Sequence, residues 1–141
     1  MRSKVYFTRD LSPQAMLRLY GALGVQLPGR VAVKIHSGEP GNQNFIRPDF
    51  MKPMIDHVGG TIVECNTAYA HKITMERHGW LDAAQVDILD ETDEIQLDIP
   101  GGKVIKKNFV GAHLADYDSL LVLSHFKGHP MGGFGGALKN I

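Results

Sequence analysis

The chain reads as an α/β protein: a mostly parallel, open sheet flanked by helices, with a β-hairpin inserted around residues 95–109. Three observations predict this. Short, near-continuous apolar runs such as Val31-Ala32-Val33, Ile62-Val63 and Leu120-Leu121-Val122-Leu123 suit strands covered on both faces. They alternate with segments of helical periodicity, the mark of strand–helix–strand units. Turn formers and chemically active side chains gather just after the strands, where open parallel sheets place their ligands.

Lys4–Thr8 is predicted as the first strand. Asp10 and Ser12 offer capping oxygens, Pro13 suits a first helical turn, and Met16, Leu17, Leu19, Tyr20 and Leu23 form an apolar face, which Gly24 ends. Arg30–His36 is the second strand, followed by the loop Ser37-Gly38-Glu39-Pro40-Gly41-Asn42-Gln43-Asn44. Arg47-Pro48-Asp49 opens a helix that runs to about Val58 and closes at Gly59-Gly60. Thr61–Asn66 is the third strand. Ile73 to Ala84 looks helical around a break at Gly79, and Gln85–Leu89 is a short strand before an acidic turn at Asp90–Asp93. Ile95–Ile99 and Lys103–Phe109 pair around Pro100-Gly101-Gly102. Leu114–Asp118 is a short helical or turn segment, Leu120–Ser124 the last strand, and Gly136–Ile141 the start of a helix.

With 141 residues, 43% hydrophobic and 21% charged, the sequence is one globular domain's worth. Its formal net charge is zero, and Lys103-Val104-Ile105-Lys106-Lys107 is the only dense basic run, so no nucleic-acid footprint is expected. The lone Cys65 excludes an internal disulfide and, with no CxxC pair, an iron–sulfur cluster on this chain's own ligands. Cys65 itself is expected to act as a small buried hydrophobe. No signal-peptide or membrane-spanning run is present, and a cytoplasmic setting is the default. The final stretch holds only one helical turn, too short to be stable alone. The expectation is a portion of a longer domain, or a tail covered by a partner or a second copy.

The densest chemistry lies in Ser124-His125-Phe126-Lys127-Gly128-His129-Pro130-Met131-Gly132-Gly133-Phe134-Gly135-Gly136-Ala137-Leu138-Lys139-Asn140. Four glycines, Gly132, Gly133, Gly135 and Gly136, let backbone N–H groups approach an anion, with Lys127 or Lys139 as counter-charge. The loop lacks GxxxxGK[ST] and does not fit GxGxxG. The alternative is a sharp turn that packs a helix closely on a strand. His125 and His129 are candidate acid–base groups, although four-residue spacing across a strand end does not imply metal geometry. After the second strand, His36, Glu39 and Asn44 form a second polar cluster. After the third, Glu64 must be paired, exposed or functional, and Asn66 and Thr67 are ligand contacts or caps. These clusters are expected to converge on one sheet edge. His71 and His78 share a helical face and read as surface residues; His57 and His113 read as structural.

These residues carry a family resemblance. Val33–Asn42, Glu64-Cys65-Asn66-Thr67-Ala68-Tyr69, His78-Gly79-Trp80 and the closing motif Ser124–Asn140 resemble, in order, the domain of unknown function 362. The resemblance covers essentially the whole chain but only the amino-terminal part of the family domain. It implies kinship without a settled activity. Many members carry a ferredoxin-like pair of [4Fe–4S] clusters in a carboxyl-terminal segment, which implies redox chemistry through a separate iron–sulfur partner for a chain lacking those cysteines. The closing motif is also similar, more weakly, to the His- and Gly-rich substrate loop of the nickel-pincer lactate racemase family, which implies a small carboxylate ligand.

The leading expectation is therefore a small-anion-binding enzyme, or part of one. Its catalytic groups would be His125, His129 and Lys127. Gly132, Gly133, Gly135, Gly136, Lys139, His36, Glu39, Asn44 and Asn66 would contact the ligand. The alternatives are a non-catalytic ligand-binding or assembly module, and a divalent-metal domain built on His36, Glu64 and His125.

Overall fold

The computed structural model describes residues 3–66 and 71–140, with the backbone alone at position 71. Helix α1 (Pro13–Leu23) starts where the Ser12 hydroxyl accepts the Ala15 N–H at 3.1 Å, and ends at a left-handed Gly24. Strand β1 (Val31–Lys34) follows, then helix α2 (Pro48–Val58) and strand β2 (Thr61–Glu64). Helices α3 (His71–Arg77) and α4 (Trp80–Ala83) flank Gly79, whose φ of 80° produces the expected break. Strand β3 (Val86–Ile88) leads into an antiparallel hairpin of β4 (Glu94–Asp98) and β5 (Lys107–Gly111). A 3-10 turn at Ala112–Asp116 delivers strand β6 (Ser119–Val122).

The main sheet is parallel throughout, in the order β3-β2-β1-β6. The chain therefore steps outward from β1 through β2 to β3, then returns to add β6 on the other side of β1. That reversal makes the boundary between β1 and β6 a topological switch point, where the connections leaving two adjacent carboxyl ends diverge and open a crevice.

Alternation along each strand sends side chains to two different cores. Val31, Val33, Ile35, Ile62 and Ile88 pack with Met51 and Ile55 of α2, Met75 of α3 and Trp80 of α4, with Met16 of α1 against them. Ala32, Val63 and Leu89 form a smaller core with Cys65, Leu114 and Tyr117. The helices thus serve the first face, while the 3-10 turn serves part of the second. Cys65 is half-buried rather than buried, and burial, then the Asp90 charge, pushes its thiol pKa up.

Several expectations are corrected. Lys4–Thr8 forms no strand: it has no ladder partner among the described residues, and Val5 and Phe7 are exposed. Alternating apolar residues satisfy the strand pattern, but a strand exists only where a neighbour accepts its hydrogen bonds. The inserted hairpin ends and resumes further from its turn, pairing Asp98 with Lys107. The glycine-rich stretch is not a smooth strand-to-helix loop. It folds into a two-stranded hairpin of β7 (Gly128–His129) and β8 (Gly133–Phe134), and only a 3-10 turn follows at Leu138–Asn140. His78 is no surface residue; its ring stacks on Phe45 with centroids 4.0 Å apart. Thr67 and the side chain of His71 lie outside the described residues.

Two glycines test this packing in opposite directions. A Cβ at Gly111 would stand 2.3 Å from the Leu89 carbonyl carbon, a backbone atom that cannot step aside. Gly111→Ala is expected to lower unfolding free energy by about 1–3 kcal/mol. A Cβ at Gly21, inside α1, meets nothing within 4 Å, and Gly21→Ala should raise stability by about 0.5–1 kcal/mol. Urea midpoints at constant slope measure both; a neutral Gly111→Ala would contradict the close approach of β5 to Leu89.

Candidate functional site

The switch point brings the first and last polar clusters together. His36 follows β1 and His125 follows β6, and their rings meet edge-on with centroids 6.0 Å apart. The Gly38 N–H donates to His36 Nδ1 at 3.1 Å, so the neutral ring carries its proton on Nε2. That nitrogen is 3.5 Å from Glu39 Oε1, which also receives Lys127 Nζ at 3.0 Å. Asn42 Nδ2 donates to the other carboxylate oxygen at 2.7 Å. One carboxylate on the β1 loop therefore ties itself to a lysine on the β6 loop.

The charges follow from these contacts. Burial would raise the Glu39 carboxyl, but hydrogen bonds from Lys127, Asn42 and its own backbone outweigh it and hold the pKa at about 2. Burial, then the Lys127 charge, lowers His36 below 6.5 against the opposing pull of Glu39 and Glu64. His36 is thus a neutral imidazole at pH 7, beside an ionised carboxylate.

The β1 loop is held from below. Ser37 is fully buried, and its carbonyl accepts from His78 Nδ1 at 2.8 Å and from Trp80 Nε1 at 3.1 Å. Its N–H donates to Glu64 Oε2 at 3.2 Å. Gly38 adopts φ 92° with Phe45 and the His78 ring about 3 Å from where a Cβ would stand, so a side chain there is excluded twice over. The His78-Gly79-Trp80 segment is therefore the seat of the loop that carries His36 and Glu39.

Around the two histidines lies a small pocket lined by His36, His125, Lys127, Lys139, Asn140 and the backbone of Gly128, Gly135 and Gly136. Its interior space of about 10 Å³ takes roughly one water-sized group. Two of these lining residues each carry a buried nitrogen with no hydrogen-bond partner among the described residues, His125 Nδ1 and Asn140 Nδ2. Of the four glycines, Gly135 and Gly136 form the wall. The Gly136 N–H donates to the Lys127 carbonyl at 2.9 Å, and the Gly132 N–H to His129 Nδ1 at 3.1 Å. Those two amides serve the hairpin itself, and Gly132 and Gly133 are exposed at its tip.

The other expected residues stand apart. Glu64 is buried but fully engaged, by Lys34, by Ser37 and by the Cys65 N–H at 3.2 Å. Asn44 is exposed and its N–H turns to Asn42 Oδ1. Asn66 is exposed and its N–H turns to Asp90 Oδ1. His129 folds onto its own hairpin. Among the described residues, no group of three or more His, Cys, Asp or Glu side chains could hold a metal ion, so the trio His36, Glu64 and His125 is not assembled as a ligand set. Sequence reasoning missed Asn140, Asn42 and Lys34. The first had no signal beyond its place beside Lys139; the Lys34–Glu64 pair was legible as two opposite charges in buried parallel strands.

The chain belongs to the family described as Domain of unknown function (DUF362), whose pattern matches residues 31–141. That description assigns no activity. The match takes in β1, the pocket and every residue that lines it. No curated protein and no solved structure matches the chain. No helix among the described residues is long and apolar enough to cross a membrane.

Because the Glu39 carboxyl is depressed in the folded state, its contribution is complete above its ordinary pKa of 4.5 and is lost as pH falls toward about 2. The pair is a third exposed, so its worth is about 1 kcal/mol or less. The stability gap between the native chain and Glu39→Gln, from urea unfolding, should narrow across that window. A gap that stays constant down to about pH 2 would show that Glu39 and Lys127 do not pair in solution.

Proposed function

We propose that the pocket between His36 and His125 binds one oxyanion group of a small ligand, a carboxylate or a phosphate. The observation that carries this reading is the pair of buried nitrogens, His125 Nδ1 and Asn140 Nδ2, left without partners among the described residues on two side chains that line the same small space. An unpaired buried polar group costs about 1–3 kcal/mol, and an acceptor in that space that reaches both nitrogens relieves the two costs together. The space suits a single oxygen, with the rest of the ligand lying toward the mouth of the crevice.

Charge favours an anion. Lys127 is paired with Glu39, while Lys139 makes no ion pair among the described residues and lines the same pocket. The wall of Gly128, Gly135 and Gly136 lets main chain approach without side-chain obstruction. In this reading His36 and His125 carry a proton to or from the bound ligand, and Lys127 meets charge that develops on it. His129, committed to its hairpin, has no part in this arrangement.

Thermal denaturation with increasing formate, acetate and inorganic phosphate tests the reading. At least one anion should raise the Tm in a saturable way, because a ligand bound to the folded state alone stabilises it. His125→Ala and Asn140→Ala should each weaken that anion about tenfold or more, the value of a hydrogen bond to a charged group. Unchanged Tm with all three anions would assign the space to an ordered water and overturn the proposal.

A further inference from the structure

A second set of polar side chains, none of which lines that pocket, is arranged as an activated nucleophile. Asp87 of β3 places Oδ1 2.7 Å from His113 Nδ1, and its Oδ2 accepts the Tyr117 hydroxyl at 2.8 Å. With a carboxylate at Nδ1, the neutral imidazole keeps its proton there and presents the Nε2 lone pair. Thr92 Oγ1 lies 3.0 Å from that Nε2, so the threonine hydroxyl donates to it. Thr92 is exposed, whereas Asp87, His113 and Tyr117 are partly buried.

The backbone holds the line in place. The Ala112 N–H donates to the Asp93 carbonyl at 2.9 Å, and the His113 N–H to the Leu89 carbonyl at 3.0 Å. Both segments, the turn after β3 and the 3-10 turn before β6, are thereby locked to each other on either side of the Thr92–His113 contact. Those two backbone bonds already tie the segments together. Thr92 adds a side-chain bond to His113 and holds a solvent-exposed hydroxyl against an oriented base.

We propose that Thr92 is an acyl-accepting nucleophile for small activated carboxylic esters, with His113 as its general base and Asp87 as the positioning residue. A hydroxyl within reach of a base that a third group orients is the arrangement this chemistry requires. Thr92 Oγ forms a bond to the acyl carbon while its proton passes to His113 Nε2. The ester C–O bond breaks, and the departing alkoxide takes that proton. Water then attacks the acyl-threonine, giving its proton to His113, which returns it to Thr92 Oγ as the acid leaves. The sum is ester plus water giving acid plus alcohol. The hydrogen bond to Asp87 raises the His113 pKa; burial opposes it, and the Asp87, Asp116 and Glu91 charges add to the rise, which strengthens the base.

The full chain, incubated with p-nitrophenyl acetate and mapped by peptide mass spectrometry, tests this directly. The acetyl group is expected on Thr92, and Thr92→Ser should still be acetylated at the same position. His113→Gln should slow labelling by about 100-fold or more. Asp87→Asn should slow it too and move the midpoint of its pH profile downward, a shift that a merely structural contact would not cause. Absence of acetyl on Thr92 in the native chain overturns the proposal whatever the variants do to folding; equal labelling in a folded His113→Gln overturns it as well. Neither result bears on the oxyanion pocket.

Discussion

The buried ion pair of Lys34 and Glu64 is the constraint on which the carboxyl edge of the sheet depends. Both side chains are nearly removed from solvent, one at the end of β1 and the other at the end of β2. Two charges at that depth are tolerable only if each is paired and the remaining lone pairs are filled. Glu64 meets both conditions by also accepting the N–H groups of Ser37 and Cys65. The first of these turns the chain out of β1 at a defined angle. The carbonyl of the same Ser37 then accepts from His78 and Trp80, so one residue is held from both sides by Glu64 at the end of β2, His78 just after α3 and Trp80 of α4. His36 and Glu39 inherit their positions from that residue.

The pocket is made by strand order as much as by side chains. His36 and His125 are separated by nearly ninety residues in sequence and are neighbours only because β6 adds to the free side of β1. Glu64 ends β2 and Asn66 follows it, on the opposite side of β1 from β6; the Glu64 carboxylate pairs with Lys34 and the Asn66 N–H donates to Asp90 instead. The same sheet edge therefore gathers two clusters and sends the third elsewhere. Parallel neighbours share an edge, but only adjacent ones at the switch point share a crevice.

Much of this was legible in the sequence. The apolar runs around Val33, Ile62 and Leu121 located three parallel strands, and the Ser12, Pro13 and Gly24 signals bounded the first helix within a residue. Convergence of His36, Glu39, His125 and Lys127 followed from strand ends alone. What failed did so for nameable reasons. Val5 and Phe7 carried strand character without a partner to pair with. His78 looked like a surface residue because seven-residue spacing from His71 said nothing of Phe45, which covers its ring. The glycines suggested amides free for a ligand, yet hairpin closure takes the N–H groups of Gly132 and Gly136. Asp87, Thr92, His113 and Tyr117 lie in separate short elements, with no spacing to link them before the fold brings them together.

Among the described residues β6 is an edge strand, laddered to β1 alone. Half of the crevice therefore hangs from the part of the sheet with fewest neighbours, while the other half sits on a central strand. Fraying of β6 would dissolve His125, Lys127 and Asn140 as one unit and leave His36 and Glu39 seated. Occupancy of the crevice would then register as slowed amide exchange along a single border of the sheet, far outside the atoms in contact with the guest.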